Sequence, residues 1–178
     1  MKIFIYIDSC AWNYILEHGI VLEEELPKQR YELRVTPEID SELAAIPDRK
    51  SELKNSIQAM KERNSVSTTR SFGFGAPYVG FGQGSFQSPA EREWHQKYYL
   101  ADPPLVRKGS GLPKGATDAD LARRSSDAII LTAESAQTSG PLKSAANEGK
   151  LVIFLGSDFR PDDMRLGEYI EHRLRTRK

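Results

Sequence analysis

The chain has 178 residues, and its 25 Lys and Arg balance 25 Asp and Glu, for a formal net charge of zero at pH 7. That neutrality excludes a polyanion binder acting through its whole field and confines any nucleic-acid contact to a local patch. Apolar residues make up 39% and charged residues 28%, a folded composition with no run near the ~20 apolar residues that a membrane helix needs.

The length predicts one domain spanning residues 1–178. The first residues lack the pattern of a signal peptide, and Cys10 is the only cysteine, which leaves no internal disulfide; both features predict a cytoplasmic protein. The run Lys2 to Ile7 (KIFIYI) reads as a strand, and Asp8-Ser9 then caps a helix through Trp12, Tyr14, Ile15 and Leu16 to Gly19. Leu33 to Thr36 is a second strand. Pro37 starts a helix on which Ile39, Leu43 and Ile46 recur at helical spacing. Ser51 to Arg63 is an amphipathic helix on Leu53, Ile57 and Met60, and Ser88-Pro-Ala-Glu91 is a capping box opening a helix through Trp94 and Leu100. Thr117 to Ser125 reads as a short helix capped by Thr117, followed by the buried strand Ala128 to Ala133 (AIILTA). A helix from Gly140-Pro141 to Gly149, a strand over Leu151 to Leu155 (LVIFL) and a helix over Pro161 to Arg175 close the chain. Strands alternating with helices predict an α/β fold, a three-layer α/β/α sandwich around a mostly parallel sheet.

Residues 64–116 interrupt this alternation as an insertion. Within it, Ser71 to Gln87 alternates glycines with Phe72, Phe74, Tyr78, Phe81 and Phe86, and no regular element is expected there. Its rings either fold onto the core or form a flap that stacks on unpaired bases. Two basic groups stand out. Arg107, Lys108, Lys114, Arg123 and Arg124 are candidates for strand contact, whereas Arg173, Arg175, Arg177 and Lys178 read as a helix C-terminus complementing its dipole.

Ligands of a parallel sheet bind beyond the carboxyl ends of its strands. Asp8 ends the first strand, Glu42 lies within the helix after the second, Asp118 begins the short helix and Glu134 ends the third strand. Carboxylates gathered in one crevice repel one another unless a cation compensates them. Hard oxygen ligands select Mg²⁺ or Mn²⁺, which can activate water against a phosphodiester. Asp40 and Asp120 lie beside these residues and read as solvated surface. Asp127 and Asp158 offer another register for the last two ligands, but one that would turn AIILTA into helix. His18, His95 and His172 show no ligand spacing, and Cys10 reads as a structural thiol more readily than as a nucleophile. The glycines of the insertion match no phosphate-binding loop, Gly109-Ser110-Gly111 is no nucleophile elbow, and Cys10 stands where an aspartyl-phosphate phosphatase would want a second acid.

At these positions the sequence resembles the PIN-domain nucleases. Asp8 with Ser9 resembles the family's first motif, Glu42 within TPEIDSEL the second, Asp118-Ala119-Asp120-Leu121-Ala122 the third, and Leu131-Thr132-Ala133-Glu134 the strand that ordinarily ends in Thr-x-Asp. The resemblance implies a PIN-like fold and a Mg²⁺- or Mn²⁺-dependent endoribonuclease. Its ligands would be Asp8, Glu42, Asp118 and Glu134, its substrate single-stranded RNA, and its products would bear a 5′-phosphate and a 3′-hydroxyl. Glu134 departs from the family's aspartate and sustains an alternative, a degenerate PIN-like domain that binds RNA or a protein partner without cutting. The family's toxin-type members add an antitoxin protein to the candidate partners, and a homodimer is left open.

Overall fold

The computed structural model describes residues 2–69, 71–72, 85–86 and 115–176. The N-terminal strand is β1 (Ile3–Ile7), and Asp8 caps α1 (Ser9–Glu17) by accepting the Ser9 N–H. A one-turn helix α2 (Leu22–Glu25) leads to β2 (Tyr31–Val35) and α3 (Pro37–Ala44), which has proline in its first turn and Thr36 as its cap. A 3₁₀ turn at Asp48–Lys50 runs into α4 (Ser51–Arg63), and β3 (Ser67–Thr68) follows. After β4 (Ser71–Phe72) and β5 (Ser85–Phe86) come α5 (Ala116–Arg124), β6 (Ile129–Thr132), α6 (Pro141–Asn147), β7 (Val152–Phe154) and α7 (Leu166–Thr176).

Five strands form one sheet in the order β3-β2-β1-β6-β7, every pair parallel, with Ile5 opposite both Leu33 and Ile129 and Ile130 opposite Val152. All four residues of β6 and all three of β7 are buried, as are Ile5, Tyr6 and Ile7 of β1. Strands buried on successive residues are covered on both faces, and this mixed α/β arrangement is compatible with three layers. β2 alternates buried and half-buried residues instead, and its Arg34 lies over the Phe4 ring at 3.5 Å. Trp12, Ile5, Ile7, Ile15, Ile129 and Leu131 are fully buried at the centre; each such side chain contributes about 1.5–3 kcal/mol by leaving water.

The structure departs from the sequence expectations in four places. β3 pairs with Arg34 and Val35 of β2, so the sheet takes its fifth strand from inside the segment 64–116. Ser71–Phe72 and Ser85–Phe86, where no regular element is expected, pair with each other in parallel. Gly115, at φ +80°, rather than Thr117, caps α5; that left-handed backbone suits glycine, which has no Cβ to clash. The closing helix begins only at Leu166, because residues from Pro161 form turns and the Glu25 carboxylate receives the Gly167 N–H at 3.1 Å. The helix expected through Trp94 and Leu100 lies outside the described residues. Among the described residues no helix is long and apolar enough to cross a membrane.

The α2–α7 contact generates a test of the packing. A Cβ at Gly167 would fall inside the van der Waals envelope of the Glu25 carbonyl oxygen, and backbone cannot step aside as a side chain can. Gly167→Ala should therefore cost about 1–3 kcal/mol in urea denaturation; an unchanged midpoint would show that the helices do not approach so closely.

Candidate functional site

From β1 the chain moves outward to β2 and β3, then returns to the other side of β1 as β6. Connections diverging in this way open a crevice beyond the carboxyl ends of β1 and β6, the customary ligand position of an open parallel sheet. Asp8 follows β1 and Thr132 ends β6, and both are buried, at 4% and 0% exposure.

Four groups surround the Asp8 carboxylate. The Ser9 N–H donates to Oδ1 at 2.7 Å, while the Thr132 hydroxyl and the Cys10 thiol donate to Oδ2 at 2.8 and 3.0 Å. Burial pushes the Asp8 carboxyl up from its ordinary value; the hydrogen bonds oppose this, and the nearby charge of Glu42 adds to the rise. The fourth group is thus a second acid, on another element.

Glu42 projects from α3 toward two hydroxyls. Ser9 Oγ donates to its Oε2 at 2.6 Å and Thr117 Oγ1 to its Oε1 at 2.8 Å. Ser9 Oγ is 3.4 Å from Asp8 Oδ1, so this residue serves Asp8 through its backbone and Glu42 through its side chain. Asp118 follows Thr117 within the first turn of α5, where the helix dipole favours a carboxylate. Glu134 joins from two residues beyond β6, its N–H donating to Thr132 Oγ1 at 3.2 Å.

The structure therefore gathers Asp8 and Glu42 around Ser9, ties the turn carrying Asp118 to Glu42 through Thr117, and attaches Glu134 by its backbone. Among the described residues no three His, Cys, Asp or Glu side chains already form a metal-holding group. By donor type, the carboxylate and hydroxyl oxygens suit a hard divalent cation, and an Asp8 carboxyl made harder to ionise by burial and by the Glu42 charge is one that such a cation relieves.

No protein-family profile matches the chain, and no curated protein matches it. Among solved structures, it is similar to a domain of a functionally unknown protein from Methanocaldococcus jannaschii DSM 2661, at 12% identity and a TM-score of 0.42, over 89% of this chain and 95% of that one. A likeness at that level carries neither fold nor function across.

Two sequence expectations near the site are corrected. Asp120 is not solvated surface: it pairs with Arg123 at 2.5 Å and Arg124 at 2.6 Å. Burial works against its ionisation, yet Arg124 and Arg123 together hold the carboxyl below its ordinary value. Arg123 and Arg124 are correspondingly withdrawn from any nucleic-acid strand, at 2% and 9% exposure. Arg124 also donates to the Tyr6 hydroxyl at 2.8 Å and the Thr69 carbonyl at 3.2 Å, and lies 4.8 Å from the Tyr6 ring centre. These residues fasten α5 to the sheet. Arg107, Lys108 and Lys114 lie outside the described residues. Asp40 is half-buried, receiving bonds from Lys61 at 2.5 Å and Thr68 at 2.6 Å. Asp127 is exposed, and Asp158 accepts the Phe154 N–H at 3.1 Å after its own strand.

Sequence reasoning passed over Thr117 as a partner of Glu42, Cys10 as a donor to Asp8, and Glu38. Glu38 is half-buried one turn before Glu42, and its Oε2 has no hydrogen-bond partner among the described residues; burial first, and Asp120 second, push its carboxyl up. The i, i+4 spacing of Glu38 and Glu42 was the available signal.

Cys10 yields a direct chemical test. Burial, the Asp8 charge and the hydrogen bond to Asp8 push its thiol from an ordinary 9.0 up to about 12, which lowers the thiolate fraction about a thousandfold. Iodoacetamide at pH 8 should accordingly label the native chain far more slowly than the urea-unfolded chain. Asp8→Asn should accelerate native labelling, because it removes two of the three causes. Equal rates in native and unfolded wild type would refute the Asp8–Cys10 contact.

Proposed function

We propose that the chain is a PIN-like nuclease domain in which Asp8, Glu42 and Asp118 hold Mg²⁺ or Mn²⁺, Glu134 completes the acidic pocket, and phosphodiester bonds of single-stranded RNA are hydrolysed. The observation that carries this reading is the Asp8–Ser9–Glu42 junction at the sheet's switch point, where one residue supplies hydrogen bonds to acids from two elements. When bound, the cation supplies an activated water and neutralises charge on the leaving oxygen.

The chain's own residues do the rest. Thr132 and the Ser9 N–H orient Asp8, while Ser9 Oγ and Thr117 orient Glu42. A phosphodiester is repelled by carboxylates a few ångströms away and attracted by a cation held among them, since such charges interact strongly away from bulk water. Cation and substrate are therefore expected to bind interdependently. Cys10, held as the thiol, does not compete as a nucleophile.

A second reading, a PIN-like scaffold that binds RNA or a protein partner without cutting, draws support from the two oxygens of Asp8 being engaged by protein donors. The two readings separate on a labelled single-stranded RNA. The nuclease cleaves it with Mn²⁺ or Mg²⁺, leaves a 5′-phosphate, and stops when chelator is added. Asp8→Asn should lose at least about a hundredfold in rate while still unfolding cooperatively in urea, since its amide oxygen can accept the Ser9 N–H as the cap does. RNA retained but uncut in either metal favours the second reading, and a chain that neither binds nor cuts RNA contradicts the proposal.

A further inference from the structure

The bond from Thr117 to Glu42 spans 75 residues of sequence. Thr117 is the second residue of α5, inside the helix, whose cap is Gly115. It therefore does not take the cap position from which a hydroxyl serves the first N–H groups, and its hydroxyl reaches across to α3 instead. Thr117 is 3% exposed. Breaking its bond would leave a buried donor without ready access to water, which makes the contact directional and persistent.

Glu42 thereby has each carboxylate oxygen held by a hydroxyl from a different element, Ser9 on α1 and Thr117 on α5. Two donors from different elements, one on each oxygen, restrain its plane more than either does alone. The same bond binds the first turn of α5, and with it Asp118, to α3. Two ligands separated widely along the chain are thus given a fixed relation by a residue that need not touch the cation itself. Partners of this kind commonly decide how well a ligand set binds metal.

We propose that Thr117 is a positioning residue, its hydroxyl fixing Glu42 and registering Asp118 against it for cation binding. This inference rests on the reading of Asp8, Glu42 and Asp118 as the metal-holding residues. Its rival is plain packing, in which the buried methyl of Thr117 seats α5 and the hydroxyl is incidental.

Two near-isosteric changes divide these roles in the intact chain, read by Mn²⁺ binding in calorimetry or electron paramagnetic resonance alongside RNA cleavage and urea denaturation. Thr117→Val keeps the branched shape and removes the hydroxyl; it should weaken Mn²⁺ binding about tenfold or more and lower kcat at limiting Mn²⁺, with KM for RNA little changed. Thr117→Ser keeps the hydroxyl and removes the methyl; it should bind Mn²⁺ within about twofold of wild type. Should valine not be accommodated, Thr117→Ala removes the hydroxyl without adding bulk and is held to the same expectation. The opposite pattern, with valine at wild-type affinity and serine impaired, establishes packing and overturns the proposal. Mn²⁺ bound equally by wild type and by Thr117→Val overturns this inference alone, whereas a wild-type chain that binds no Mn²⁺ overturns the proposed function and this role together.

Discussion

Asp8 and Glu42, from different elements, are joined by Ser9, which stands between them. Its N–H, the first of α1, is engaged by Asp8 as the helix cap, and its hydroxyl goes to Glu42. The chain order of the sheet sets this up: β1 lies centrally, and its end opens on the side where the connections to β2 and β6 part. Burial makes the charge on Asp8 costly, and Thr132 and Cys10 offset part of that cost with hydrogen bonds. What remains is a pair of neighbouring acids held in place by hydroxyl and backbone donors. Oxygen donors so placed suit a hard cation.

The opposite solution is found a turn along α5. Asp120 is neutralised within the protein by Arg123 and Arg124, and the Arg124 guanidinium continues to Tyr6 and Thr69. Buried ion pairs contribute little net stability beside a well-packed apolar alternative, yet losing one partner leaves a charge that is costly by about 3–5 kcal/mol. The cluster therefore sets the position of α5 against β1 more than it strengthens the fold. It places the N-terminal turn of the same helix, with Thr117 and Asp118, against Glu42. Structural charges thus share one helix with the candidate ligand Asp118, and they are matched to one another within the protein.

The sheet was legible because three of its strands are apolar on successive residues: KIFIYI, AIILTA and LVIFL each contain a strand, trimmed by a residue or two at the ends. Asp8 was legible for the same reason, since an acid directly after such a run must sit at a strand end. Ser67–Thr68 was not, because two polar residues carry no periodicity and pair only as an extension of β2. The burial of Arg123 and Arg124 was equally hidden. Adjacent arginines near a helix end read as surface, and their partners Tyr6 and Thr69 are distant in sequence. Thr117 was misassigned because its chemistry fits a cap; only the left-handed Gly115 ahead of it, settled by the backbone path, releases its hydroxyl for Glu42.

The central claim, that these acids are arranged around a cation, is tested most directly by anomalous diffraction from crystals soaked in manganese. The account requires a manganese peak in the crevice within coordinating distance of Asp8 and Glu42, with Asp118 turned toward it, and no such peak in Asp8→Asn crystals treated alike. Well-diffracting wild-type crystals at saturating manganese that show no peak there, with Asp8 still bonded to Ser9 and Thr132 and Glu42 to Ser9 and Thr117, would contradict it.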